Sequence, residues 1–349
     1  MTWAANPFLH YESGRIYNPI TDRALDDREE LHQRFQSFVA GTSEPDEALI
    51  RDGWIVRGDA DLSRSHRLKI VSLETLTTCN QRCYFCPVSI APREDQSMTD
   101  ELFASIVEQL TAYRDTIEGV FIQSYNEPTI DRRFVEICTT LFDAGLPVAV
   151  LTNGSGLTPA KVDAIMAAGT LKYLCVNLST LDSERYAHDR GAAHVEVVLR
   201  HLEYLKDKPL ADQMRIIVLG ESDDVHARDF EEVKQRFAGT RFEVEKYHAV
   251  DRAGWLEVGL HVVDKKKRLA GCDLIGSRPI QHLHITPAGK CVICCHDYDE
   301  KYVVGDLTTA TIDEVLRGPE MAKIRRWTYG IEEAPDDYIC RSCTFALSR

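Results

Sequence analysis

The sequence predicts an α/β protein built on a parallel sheet, and three observations carry that prediction. Six short apolar runs alternate with amphipathic helical patterns between Leu68 and Tyr247, a succession that produces parallel strands joined by helices. Hydrophobic residues make up 44% and charged residues 28% of the 349 positions, the balance of a folded globular chain with room for about two domains. No apolar stretch approaches the ~20 residues that cross a bilayer.

Residues 1–66 differ in character from the rest of the chain. A turn-rich, hairpin-like start (YESGRIYNPITDRAL) leads into a helical stretch from Asp26 to Val39, and the segment closes on DGWIV. It carries no chemistry of its own and reads as a small docking or covering unit. The six strand candidates lie at 68–74, 119–123, 146–151, 171–178, 214–220 and 242–247. Between the first two, Leu102, Phe103, Ile106, Val107 and Leu110 recur at helical spacing behind Thr99 as a cap, with Asp100 and Glu101 in the first turn. Further helices are expected at 132–144, 158–168, 193–205 and 226–237. Such a sheet, doubly wound or curled into a partial barrel, gathers ligands at the carboxyl ends of its strands. After Trp255 two short strand candidates, HLHIT and KCVIC, flank the turn Pro287-Ala288-Gly289.

With 55 acidic against 41 basic residues, the net charge of -14 opposes wrapping a polyanion, so neither nucleic acid nor a membrane is expected as partner. Residues 1–25 lack a basic start followed by an apolar core. A cytoplasmic protein with reduced thiols is expected.

The 11 cysteines hold the chemistry. Cys138 and Cys175 lie alone in apolar patterns and read as small buried hydrophobes. Cys79, Cys83 and Cys86 share the loop after the first strand, and three thiolates on a 4Fe-4S cube leave one iron open to a chelating ligand; a zinc site borrowing a distant ligand is the alternative. The tail supplies Cys272, Cys294, Cys340 and Cys343, four thiolates that close around iron or zinc equally well by composition alone.

The CxxxCxxC spacing, with Phe85 before the last cysteine, resembles the signature of the radical S-adenosylmethionine superfamily. The resemblance implies a partial (β/α)6 TIM-like barrel and S-adenosylmethionine chelated by the open iron. Reductive cleavage would then give a 5'-deoxyadenosyl radical that abstracts a substrate hydrogen. The family's Gly-Gly-Glu-Pro-like turn reads Ser124-Tyr125-Asn126-Glu127-Pro128, so Asn126 and Glu127 become cofactor candidates, although Tyr125 and Asn126 stand where glycines are usual. Asn177 and Ser179, on one face by strand alternation, look like the family's polar pair near ribose and carboxylate. Arg190 is a candidate partner of the cofactor carboxylate.

The tail, with GKCVICCHD, VGDL and the final CRSC, resembles the SPASM or shortened Twitch extension of the same superfamily. This implies one auxiliary 4Fe-4S cluster on Cys272, Cys294, Cys340 and Cys343. Cys291 and Cys295 are without a clear role, and either could replace Cys294. The DRAG at Asp251 to Gly254 is similar to the link between barrel and extension. The resulting division is 1–66, 67–256 and 257–349. The first segment looks like the small winged-helix-like leader-binding regions of peptide-modifying relatives. The expected function is modification of a ribosomally made precursor peptide, with an electron donor such as flavodoxin or ferredoxin. A Twitch-type dehydrogenase of an aminocyclitol or sugar is the alternative, and a non-enzymatic iron-sulfur or zinc protein a remote one. No catalytic acid, base or radical-quenching residue stands out.

Overall fold

The computed structural model describes residues 2–262 and 264–349. The N-terminal unit comprises β1 (Trp3–Ala5), β2 (His10–Glu12), β3 (Arg15–Asn18), β4 (Arg23–Asp26), α1 (Glu30–Val39), α2 (Glu47–Arg51) and β5 (Ile55–Arg57). The hairpin-like start is a three-stranded antiparallel meander, β2-β3-β4, while β5 returns to pair with β1. Leu9, Ile16, Leu25, Phe35, Leu49, Trp54 and Ile55 give this unit a core of its own.

The barrel comprises β6 (Ile70–Leu73), α3 (Asp100–Leu110), β7 (Gly119–Phe121), α4 (Phe134–Asp143), β8 (Val148–Thr152), α5 (Pro159–Ala168), β9 (Leu171–Asn177), α6 (Ser183–Arg190), α7 (Val195–Leu205), β10 (Ala211–Gly220), α8 (Asp224–Arg236) and β11 (Phe242–His248). All six expected strands form, in sequential order and all parallel. Thr99 caps α3 by accepting from the Leu102 N–H, as its position before the apolar repeat requires. Helix α6 has no counterpart in the sequence pattern. Its eight residues bury only Tyr186 and Arg190, too few to show a periodic stripe.

The tail contains β12 (Leu269–Cys272), α9 (Arg278–Gln281), β13 (His282–Ile285), β14 (Lys290–Val292), β15 (Val303–Asp306), α10 (Ile312–Leu316), α11 (Pro319–Thr328) and β16 (Ala346–Ser348). The hairpin around Gly289 forms as expected, with Ile285 opposite Cys291 and Gly289 at φ 84°, a conformation glycine adopts without penalty. β13 lies parallel to β6, Leu283 opposite Val71, so the tail hairpin continues the barrel sheet to nine strands. The barrel and tail also share one apolar core, from Val71 and Val120 through Leu283 and Ile293 to Tyr338. Strands β12 and β16 tie the two ends of the tail together.

Candidate active site

Every candidate barrel residue stands just beyond the carboxyl end of a strand or on the element that comes next in the chain. The loop after β6 carries Cys79, Cys83 and Cys86; the turn after β7 carries Tyr125 to Glu127; β9 ends at Asn177 and is followed by Ser179. Arg190 arrives from the last turn of α6, which Gly191 terminates in the left-handed region.

Three of these residues meet. Arg190 is 2% exposed, and its Nη2 donates to Asn177 Oδ1 at 2.7 Å and Ser179 Oγ at 2.5 Å. Its guanidinium stacks 4.8 Å above the Phe85 ring, and Nη1 lies 3.8 Å from Cys83 Sγ. The main chain of α6 also braces the cysteine loop, with the Asp189 and Arg190 carbonyls accepting from Tyr84 and Arg82 N–H at 3.0 and 2.8 Å. Arg190 Nε is shielded from solvent and has no partner among the described residues, so the fork retains a donor for an anion.

Glu127 is held more firmly than its place in an exposed-looking turn suggests. This cofactor candidate is 2% exposed and both its oxygens are engaged. Oε1 accepts from Thr129 N (3.0 Å), Thr129 Oγ1 (2.5 Å) and Thr152 Oγ1 (2.5 Å), and Oε2 accepts from Asn153 N at 2.7 Å. Burial raises its pKa against these donors, and its main-chain N–H is held by the Thr78 carbonyl. Glu127 therefore ties the β7 turn to the end of β8 and to the cysteine loop, leaving Oε2 one free acceptor direction. Asn126 uses Oδ1 to accept from Ser124 N at 2.9 Å, while its shielded Nδ2 has no partner among the described residues. Sequence reasoning missed Asn80 and Asn153: Asn153 Nδ2 donates to Asn80 Oδ1 and Asn80 Nδ2 to Ser155 Oγ, each at 2.9 Å. The Asn-Gly pair after β8 is the only signal that could have pointed there.

Backbone N–H groups lie near several of the candidate ligand cysteines. The Cys294 sulfur accepts from His296 N at 3.3 Å, and the backbone N–H groups of Gln81, Val88, Arg278 and Phe345 lower the pKa of Cys79, Cys86, Cys272 and Cys343 against their burial. Such donors stabilise thiolate over thiol. Cys138 is perturbed by burial alone, and Cys291, 0% exposed on β14, by burial and the Asp306 carboxylate. Cys340 and Cys343 act on each other and with Cys272 electrostatically, and Cys294 feels Cys295 first and then Cys340 and Cys343, so these buried tail thiols lie near one another, with Cys295 beside them. Lys266 donates to the Cys343 carbonyl at 2.7 Å, and Arg278 lies near Cys272 and Cys294, placing positive charge around the set. Cys295 is half-buried beside Tyr125.

Burial pushes Cys79 up to about 12 and Cys343 to about 11, and also raises Cys86, Cys272, Cys294 and Cys340. A cluster replaces those protons, so its binding releases them. Among the described residues no three Cys, His or carboxylate groups converge on a single metal ion. Three thiols in one loop and four in the tail are donor numbers that iron-sulfur cubes take, each iron with its own thiolate.

The comparisons agree with this geometry. Residues 73–234 match the radical SAM superfamily and residues 272–344 the SPASM iron-sulfur cluster-binding domain. The chain belongs to the radical SAM superfamily and carries a C-terminal SPASM domain. It is a radical SAM enzyme, with S-adenosylmethionine, the iron-sulfur cluster of the core and SPASM iron-sulfur binding as its cofactor equipment. It is 19% identical over 279 residues to the S-adenosyl-L-methionine-dependent 2-deoxy-scyllo-inosamine dehydrogenase of Niallia circulans, spanning 78% of this chain and 92% of that one. Among solved structures, SuiB of Streptococcus suis bound to the precursor peptide SuiA matches with a TM-score of 0.59 at 13% identity, covering 98% of this chain and 93% of that one. BtrN in complex with AdoMet and 2-DOIA matches with 0.52 at 15% identity, covering 75% and 87%. Among the described residues no helix is long and apolar enough to cross a membrane.

Proposed function

We propose that this enzyme modifies a peptide. The observation that supports the reading is the separate N-terminal unit: it has its own core, and the fold match to the peptide-bound SuiB structure extends over 98% of the chain where that to the BtrN complex extends over 75%. The three-stranded meander leaves β2 and β4 as edges, a form that accepts an added peptide strand. In this reading residues 1–66 dock a leader, 67–256 form the radical core and 257–349 the auxiliary domain. Eleven unpaired cysteines suit a reducing compartment such as the cytoplasm, where flavodoxin or ferredoxin supplies electrons.

Cys79, Cys83 and Cys86 would hold the core cluster, and Cys272, Cys294, Cys340 and Cys343 one auxiliary 4Fe-4S cluster. When bound, the core cluster supplies the electron that cleaves S-adenosylmethionine to a 5'-deoxyadenosyl radical. Arg190 would pair with the cofactor carboxylate, positioned by Asn177, Ser179 and Phe85. Asn126 Nδ2 would donate to the cofactor, and Glu127 would orient the turn while offering its remaining acceptor direction to the ammonium. The buried residues around the loop exclude water.

The aminocyclitol dehydrogenase reading is favoured by the sequence match to the Niallia circulans enzyme. One experiment separates the two. Reduced enzyme is incubated with S-adenosylmethionine and the short peptide encoded nearest its gene, or with 2-deoxy-scyllo-inosamine, each uniformly deuterated. Deuterium in 5'-deoxyadenosine from the peptide alone supports peptide modification; deuterium from the cyclitol alone overturns it.

A further inference from the structure

The space between the two cysteine sets is spanned by Tyr125 and Arg252. Tyr125 stands where the family-like turn would have glycine, and it is 8% exposed. Its ring packs with Val88 and Tyr298 against Cys86 and Trp255, while its hydroxyl donates to the Cys295 carbonyl, one residue from Cys294. One side chain thus touches both cysteine loops.

Arg252 lies over that ring, its guanidinium carbon 6.0 Å from the centroid. Holding it there takes an unusual backbone. Arg252, Ala253 and Gly254 follow one another at φ 54°, 62° and 85°, a left-handed run that non-glycine residues adopt only when the surroundings enforce it. The enforcing group is Asp251, 4% exposed, whose carboxylate accepts from Ala253 N at 3.1 Å and Gly254 N at 3.0 Å.

The neighbouring Arg93 makes the contrast. Its guanidinium is 5.9 Å from the same ring, but Glu74 neutralises it through two hydrogen bonds of 2.5 and 2.8 Å. Arg252 has no such acid among the described residues. Its Nε is shielded and unpartnered among them, and the groups acting on it most strongly are Tyr125, Cys295, Cys86 and Cys294, none of them a carboxylate. Arg252 is half-buried, and a partly desolvated cation without an acid gains from negative charge placed beside it.

We propose that the Arg252 guanidinium is a counter-charge shared by the two iron-sulfur sites, holding the reduction potential of both above the value their thiolates alone would set. This rests on the reading that both cysteine sets hold clusters. Thiolate-ligated cubes are anionic and each reduction adds an electron. Net charge and hydrogen bonds to sulfur are the levers the protein has on their potential. A cation between two such sites also lowers the cost of having both reduced at once.

The test is a redox titration of the reconstituted wild type and Arg252→Gln followed by electron paramagnetic resonance. Wild type must first show about eight irons per chain, the expectation for two cubes; fewer would count against the two-cluster reading and is recognised separately. The expected result is a fall in both potentials by about 59 mV or more, a tenfold change in the reduced fraction for a one-electron couple. Arg252→Lys, which keeps the charge, should restore most of it. Unchanged potentials in Arg252→Gln, or a shift at one cluster alone, overturns the sharing. Should Arg252→Gln lose a cluster, Arg252→Met, which keeps apolar packing over Tyr125, gives the same reading.

Discussion

Arg190 and Cys83 are joined through both side chain and backbone: Arg190 Nη1 lies 3.8 Å from the Cys83 sulfur, and its carbonyl accepts from the N–H of Arg82, the residue before that cysteine, at 2.8 Å. A charged side chain this buried, bonded to Asn177 and Ser179 without an acid, is placed for a ligand carboxylate. Arg190→Lys keeps the charge and loses the fork. S-adenosylmethionine affinity should fall roughly tenfold to a hundredfold with iron content unchanged, as read by equilibrium dialysis. Wild-type affinity would restrict Arg190 to holding the loop.

Glu127→Ala strips the acceptor from two hydroxyls and two backbone N–H groups. Buried donors left unpaired cost about 1–3 kcal/mol each before relaxation. Chemical denaturation of the cluster-free protein should show a loss of about 3 kcal/mol or more, even with no S-adenosylmethionine present. A variant as stable as wild type that binds the cofactor weakly would return Glu127 to a purely ligand-directed role.

Replacing Cys79, Cys83 and Cys86 together by Ala should leave about four irons per chain and abolish 5'-deoxyadenosine formation. Cys340→Ala with Cys343→Ala should also retain about four irons and still cleave S-adenosylmethionine slowly with a strong reductant, yet make little modified product. Zinc in the purified tail site would assign it to structure instead.

His10 is 1% exposed, its Nε2 lies 2.7 Å from the Tyr329 hydroxyl, and burial lowers its pKa from 6.5 to about 4. The unfolded chain takes up the proton first as pH falls, so this contribution is fully present above pH 6.5 and is lost progressively down to about pH 4. The loss should reach on the order of 3 kcal/mol. Denaturant midpoints of wild type should fall more steeply across that window than those of His10→Gln; parallel slopes would mean that His10 does not titrate this way.

The barrel was legible because most of its strands carry apolar runs, such as IIVL in β10, where buried residues alternate with part-buried ones, between periodic stripes such as Leu102 to Leu110. The strands β1, β2, β5 and β16 span three residues each, too short to alternate visibly. The meeting of Asn177, Ser179 and Arg190 could be anticipated one residue at a time, but not as a contact. The partners that hold Glu127 were hidden for a physical reason. Its donors Thr152 and Asn153 lie at the end of the next strand, and nothing in a local pattern tells a carboxylate aimed at a ligand from one already satisfied.

The pairing of β13 with β6 bears on how such a chain can change. Strands in register stand about 4.8 Å apart, and the Cys79 loop leaves β6 while the hairpin leading to Cys294 leaves β13. The gap between the two sites is set by a hydrogen-bonded ladder and not by the stretch from Asp251 to Arg268. Changes of length in that stretch leave the ladder in place, provided Asp251 to Gly254 still hold Arg252 over Tyr125 and Lys266 still reaches the Cys343 carbonyl. The loops between those fixed points can be diversified by engineering while the two cysteine sets keep their spacing.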